Sequence, residues 1–142
     1  MKMNLENSDK WEKIRRDENL IEKALLLAER DLKVSLENKK MGNNDWAFSI
    51  AYNSMLQSGR ALMFHSGYRP KGEYKHVAVA EFLRNFPNEK LAEKLIFIFN
   101  KMRKKRHTIV YEEADIISDE EARKAVEDAR VFFERAKSII KK

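Results

Sequence analysis

Leu91-Ala-Glu-Lys-Leu-Ile-Phe-Ile-Phe-Asn-Lys-Met-Arg-Lys-Lys-Arg-His-Thr-Ile-Val-Tyr111 spells a helix in its spacing. Leu91, Leu95, Ile98, Phe99, Met102 and Ile109 fall on one apolar stripe of a 3.6-residue repeat. At about 100° per residue, Arg106 projects into the same sector, whereas Lys101, Lys104 and Lys105 point elsewhere as a solvated face. A guanidinium aimed at the packed side must meet an acid, a phosphate or an aromatic ring, because burying an unpaired charge is very costly. Two readings follow. Either Arg106 pairs with a carboxylate such as Glu22, Glu29 or Glu81, or this helix lines a cleft. His107 and Tyr111 follow closely enough to share that cleft.

The same periodicity runs through most of the chain. A first helix is expected from near Asp9 or Asp17 to about Lys40, on the stripe Ile21, Ala24, Leu25, Ala28 and Leu32. Trp11 and Ile14 suggest a short preceding helix or a bent first turn. Gly42 marks a stop, and Asn44 or Asp45 an N-cap. The second helix, about Asp45 to His65, is apolar nearly all round, so it is central in its bundle or buried between subunits. Its small residues Ala51, Ser54, Ser58, Gly59 and Ala61 allow a neighbour to come close. A loop over 66–72 leads to a third helix from about Glu73 to Asn85, and Phe86-Pro-Asn88 breaks it. The fourth helix extends from after Asn88 to about Glu112. The fifth opens with the capping box Ser118-Asp-Glu-Glu121 and carries Ala122, Ala125, Ala129, Phe132, Phe133, Ala136, Ile139 and Ile140 on one face. No strand, repeat or low-complexity tract is expected. The fold class is all-α: an up-and-down bundle of about five helices in a single domain, with a core over about 17–140 and residues 1–16 as an N-terminal extension.

Composition narrows the chemistry. The 142 residues are 43% hydrophobic and 37% charged, with four glycines and two prolines, which suits long amphipathic helices rather than a turn-rich β fold. The net charge of +6 permits an anionic partner such as nucleic acid but does not require one. Without cysteine there is no disulfide, zinc–thiolate site or cysteine nucleophile. Three histidines without HExxH-type spacing predict no metal, and no Gly-rich phosphate loop or acid pair points to a cofactor, a kinase or a glycosidase. No apolar run approaches the roughly 20 residues that span a bilayer. The polar N-terminus lacks a signal-peptide core, so a cytoplasmic location is expected.

Tyr52-Asn-Ser-Met55, Gly59-Arg-Ala-Leu62, Gly67-Tyr-Arg-Pro-Lys71, His76-Val-Ala-Val-Ala-Glu-Phe-Leu83 and Arg106-His-Thr-Ile-Val-Tyr111 resemble the HEPN family, and among its members the small stand-alone prokaryotic proteins. The resemblance covers about residues 17–140. It implies a helical bundle that dimerises, here through the second and fourth helices. It further implies RNA or a nucleotide as ligand at a groove that two copies form across the dimer, a metal-independent ribonuclease where the site is intact, and a toxin–antitoxin setting with a nucleotidyltransferase as antitoxin. Family members that have lost catalysis serve as binding modules. Active members carry Arg, four to six intervening residues, then His. In this chain Arg106 reaches Tyr111 at that spacing, and Arg103 reaches His107 one residue short.

Those residue types suit phosphate chemistry to different degrees. Metal-free RNA cleavage needs the 2′-hydroxyl deprotonated, the leaving oxygen protonated and the phosphorane charge stabilised. Arginine grips phosphate with a planar fork, and histidine moves protons near neutrality. Tyrosine titrates near pH 10 and is a poor base, although it donates hydrogen bonds and stacks on nucleobases. The expected site is therefore Arg106, His107 and Tyr111 in the catalytic positions, with Arg103, Lys105 and Arg60 as substrate contacts. Arg103, His107 and Tyr111 form one ridge, while Tyr111 lies about 140° and about 7.5 Å from Arg106. His65 and His76 read as structural, and the aromatics of the second helix as core.

Overall fold

The computed structural model describes residues 9–73, 75–86, 91 and 93–141. Five helices carry the fold: α1 Glu18–Lys40, α2 Asn44–His65, α3 Lys75–Arg84, α4 Glu93–Tyr111 and α5 Asp119–Ile140. Asp17 starts α1 by accepting from the backbone N–H groups of Asn19 (2.9 Å) and Leu20 (3.4 Å), two donors a helix start leaves open. Gly42, at φ +80°, ends it in the left-handed conformation a helix stop favours. Asn43, rather than Asn44 or Asp45, occupies the N-cap of α2. The Asp45 carboxylate is used differently. It accepts from the N–H groups of Asp115 (2.6 Å) and Ile117 (3.1 Å) and so anchors the turn between α4 and α5.

α2 is the central helix of its own subunit. Ala47, Ala51, Tyr52, Met55, Ala61, Leu62 and Met63 are fully buried, with α1 and α5 packed against them. Of the two readings of an all-round apolar helix, the intrachain one holds. What α2 turns outward is Trp46, with Asn53, Gln57 and Arg60 half-buried. Its small residues work as expected. The Ser54 hydroxyl donates to the Ala28 carbonyl at 2.7 Å, and a Cβ at Gly59 would lie 2.7 Å from Val79 Cγ1 of α3. α3 can rest this close only because position 59 has no side chain. On α5 both halves of the capping box form at 3.1 Å, and the whole expected stripe from Ala122 to Ile140 is buried.

The expectation of no strand is corrected. Trp11–Lys13 forms β1, antiparallel to β2 Tyr68–Pro70, with Trp11 opposite Pro70 and Lys13 opposite Tyr68. The Ile14 N–H donates to the Gly67 carbonyl at 2.8 Å, and Trp11 sits edge-on against Phe82 at 5.5 Å. Three-residue strands carry too little periodicity to read, and their partners are far apart in sequence. Trp11 therefore belongs to the core and not to a helix or a loose extension. Residues 1–8 of that extension, and Pro87 and Asn88 of the break after α3, lie outside the described residues. The β1–β2 ribbon leads the chain through Gly72 into α3 and so sets where His76, in the first turn, emerges.

Candidate functional site

The apolar stripe of α4 is buried at Leu95, Phe99 and Met102, and Phe99 stacks on Tyr52 with ring centres 5.4 Å apart and planes 13° from parallel. One turn further, the stripe continues as Arg106. Its guanidinium carbon lies 5.7 Å from the centre of the Tyr52 ring. Its Nε is shut off from solvent and has no hydrogen-bond partner among the described residues. None of the described residues offers Arg106 a carboxylate at ion-pair distance. Glu81 instead pairs with Lys10 at 3.3 Å and Glu22 with Lys141 at 2.7 Å. An aromatic face contributes about 0.5–2 kcal/mol to a cation, but it does not satisfy guanidinium N–H donors.

A cavity of about 590 Å³ opens beside this arginine, between the start of α3 and the end of α4. Among the described residues, Lys75, Arg103, Lys104 and Arg106 line it against a single acid, Glu73. Arg103 is anchored by a neutral group, donating from Nε (3.2 Å) and Nη2 (2.9 Å) to Asn100 Oδ1. That bond orients the fork without cancelling its charge. His107 and Tyr111, one helical turn apart, face each other with ring centres 4.8 Å apart and complete the rim. Tyr111 is 71% exposed, so its ring stands in solvent and not in the core.

Arg103, Arg106, His107 and Tyr111 thus meet in one cavity. Lys105 does not join them. It projects from the other side of α4, where its Nζ lies 3.9 Å from the Glu121 carboxylate, because one residue from Arg106 is about 100° of rotation. Arg60 stands back from the cavity wall, donating to Gln57 Oε1 at 3.3 Å and lying 5.6 Å from the Phe64 ring centre. Its charge still reaches the imidazole of His76.

In sequence His76 reads as structural and Tyr52 as core, yet the two form the back of the site. Tyr52 Oη and His76 Nδ1 are 3.1 Å apart, and His76 lines the cavity. Burial, followed by the charges of Arg106, Arg103 and Arg60, holds the His76 pKa below the ordinary histidine range. Burial pushes the Tyr52 phenol well above its usual value, against the pull of Arg103 and Arg106. The one hint in the sequence is the position of His76 shortly after the Gly-Tyr-Arg-Pro-Lys turn. His65 remains apart, near Arg16 and Glu18, with its pKa lowered chiefly by burial. Among the described residues no three His, Asp or Glu side chains gather as a metal cage. What the cleft offers is N–H donors and positive charge, the chemistry that receives an anion.

The molecule is thus an all-α bundle domain with an arginine-walled, anion-accepting cleft between its third and fourth helices. The family model of the HEPN domain matches residues 21–139, and the chain belongs to that family. Among solved structures, it is similar to the crystal structure of TT1696 from Thermus thermophilus, with a TM-score of 0.69 and 16% identity over 84% of this chain and 98% of that one. It is also similar to ST0689, an archaeal HEPN homologue, with a TM-score of 0.64 and 18% identity over 84% and 97%. At these identities the likeness is one of fold. No curated protein sequence matches the chain significantly. Family membership makes it a nucleotide- or RNA-related domain or an interaction module. Among the described residues no helix is long and apolar enough to cross a membrane.

Proposed function

We propose that the chain binds RNA or a nucleotide by its phosphates in the cleft between α3 and α4. The observation that carries this reading is the half-buried Arg106 guanidinium, which has an aromatic ring behind it and no carboxylate in reach among the described residues. A phosphate supplies the charge and the acceptors it lacks. Arg103 is the second phosphate contact, and Lys75 and Lys104 add field at the mouth. Tyr111 and His107 present rings on which a base stacks. Binding is favoured over cleavage because Tyr111 stands in the position of the family's motif histidine, and a tyrosine side chain is in general a poorer base than an imidazole. His107 is then the proton-transfer residue any ribonuclease activity would use. Within a toxin–antitoxin pair this chain would be the RNA-acting component, and a homodimer would place two such clefts in one particle.

Fluorescence anisotropy with a labelled single-stranded RNA, in the presence of a chelator, tests the reading. Arg106→Ala is expected to weaken binding by about 10- to 100-fold, the loss of a charged hydrogen-bonding pair. Unchanged affinity rejects the cleft. Cleavage of the same RNA that survives both Arg106→Ala and His107→Ala rejects the assigned roles.

A second reading has its own support. α4 and α5 flank a separate groove of about 630 Å³ with an apolar floor and a lysine rim, and Phe97 beside it is 68% exposed. A non-catalytic module would dock a nucleotidyltransferase there. Co-purification of such a partner, weakened by salt and by Phe97→Asp but not by Arg106→Ala, would select this reading over the first.

A further inference from the structure

The back wall of the cleft contains a histidine whose proton the packing places. Tyr52 is sealed from solvent, with Phe99 stacked on its ring at 5.4 Å and the Arg106 guanidinium carbon 5.7 Å from the ring centre. A buried hydroxyl must give its proton to an acceptor, because leaving it unpaired costs a full hydrogen bond. The acceptor in reach is Nδ1 of His76, at 3.1 Å. A ring nitrogen that accepts a hydrogen bond cannot also carry a proton. The second nitrogen, Nε2, must then hold it in the neutral ring. The surroundings keep the ring neutral. Arg60 from α2, with Arg103 and Arg106 from α4, oppose a further positive charge there, and Lys75 and Glu73 stand at the mouth. Among the described residues Nε2 has no hydrogen-bond partner, although the residue lines the cavity.

We propose that His76 is a ligand-binding residue of this cleft, whose Nε2–H donates to a phosphate oxygen of the molecule held by Arg106, and that Tyr52 is the positioning residue that fixes this tautomer. The inference rests on the phosphate-binding reading above and adds a contact from the opposite wall. α4 supplies the charge-bearing forks, and α3 supplies a neutral donor. A phosphodiester, with one charge and two free oxygens, can be held from both sides at once. The arrangement also explains why an aromatic hydroxyl is retained deep in an otherwise apolar helix contact.

The test uses the whole chain and a fluorescein-labelled 2′-O-methyl oligouridylate, in which attack by the 2′-hydroxyl is blocked. His76→Ala is expected to lower affinity by about 5- to 10-fold, the worth of a neutral hydrogen bond. His76→Gln, which keeps an N–H donor near the same place and cannot titrate, is expected to restore most of it. Tyr52→Phe frees the ring to change tautomer and is expected to cost about 2- to 5-fold. Long-range proton–nitrogen spectra of the unliganded protein are expected to show His76 protonated at Nε2, with that resonance moving when the oligonucleotide is added. If Arg106→Ala loses binding while His76→Ala stays within about twofold of wild type, less than a neutral hydrogen bond is worth, the His76 inference is overturned and the cleft reading survives. If Arg106→Ala is also without effect, the cleft reading fails, and the inference fails with it. Should His76→Ala not fold, the spectra decide: a proton on Nδ1, or an Nε2 resonance indifferent to the ligand, overturns the proposal.

Discussion

α4 carries a basic concavity on each side, and the two differ in how their charge is answered. In the groove shared with α5, Lys105 lies 3.9 Å from Glu121 and Lys124 lies 3.7 Å from Asp128. Lys101 and Lys94 extend into water on long flexible stems. In the cleft shared with α3, among the described residues, Arg103 has only an amide to hold it, and Arg106 has only an aromatic face. Both surfaces have a similar positive count, so charge alone does not separate them. What separates them is rigidity and unmet hydrogen bonding. A half-buried guanidinium pinned against a ring has already lost its freedom and still lacks acceptors. A solvated lysine has neither property.

The contrast is sharpest under an equal change of charge on each side. Arg103→Gln with Arg106→Gln removes two positive charges from the cleft, and Lys101→Gln with Lys105→Gln removes two from the other face. The cleft pair is expected to lower RNA affinity by about 100-fold or more, since charge-assisted bonds are lost along with field. The other pair is expected to cost about 3- to 5-fold, through field alone. Equal losses in titrations at one ionic strength would erase the distinction and leave a diffuse basic surface.

How far the sequence foretells this contrast depends on distance along the chain. Arg103, Arg106, His107 and Tyr111 share one helix, and their convergence follows from rotation per residue. The separation of Lys105 follows from the same arithmetic, which the choice of Lys105 as a substrate contact overrides. The α5 stripe and the Ser118–Glu121 cap are legible for the same reason, being local. Tyr52 and His76 lie on different helices, and nothing in either segment announces the other. Their meeting depends on Gly59 admitting α3 against α2, and on a ribbon between Trp11–Lys13 and Tyr68–Pro70 that no periodicity reveals. The wall of the site built by helix geometry can be read, and the wall built by tertiary packing cannot.

A smaller effect probes the same difference without ligand. A cation held partly out of water and left without an acid burdens the fold, whereas an exposed paired lysine hardly matters to it. Arg106→Met keeps the apolar stem and the contact with Tyr52 while removing the charge. It is expected to raise stability by about 0.5 kcal/mol while binding is lost, a trade between function and fold. Lys105→Met, on the other face, is expected to change stability by less than that. Chemical denaturation of the two variants makes the comparison. A destabilised Arg106→Met would mean that the cation–π contact outweighs the desolvation of the guanidinium.

The faintest difference lies in the response to pH, and there the two sides should move in opposite directions. In the cleft, burial and the charges of Arg106, Arg103 and Arg60 lower the pKa of His76. As pH falls through the ordinary histidine value of about 6.5, the unfolded chain takes up this proton before the folded one. Stability attached to His76 is therefore complete above that value and is lost on acidification, until the folded-state pKa is passed. In the groove, burial raises the pKa of Asp128 against the pull of Lys124. There the folded chain holds the proton longer, so stability is lost as pH rises from the ordinary aspartate value of about 3.9 to the folded one. His76→Gln is expected to flatten the stability profile on the acid side of the ordinary histidine value, leaving the contribution of His65, which shifts the same way. Asp128→Asn is expected to act at lower pH with the opposite sign. Stability profiles of the two variants that deviate from wild type in the same direction would show that burial and charge do not act on the two faces as the geometry requires.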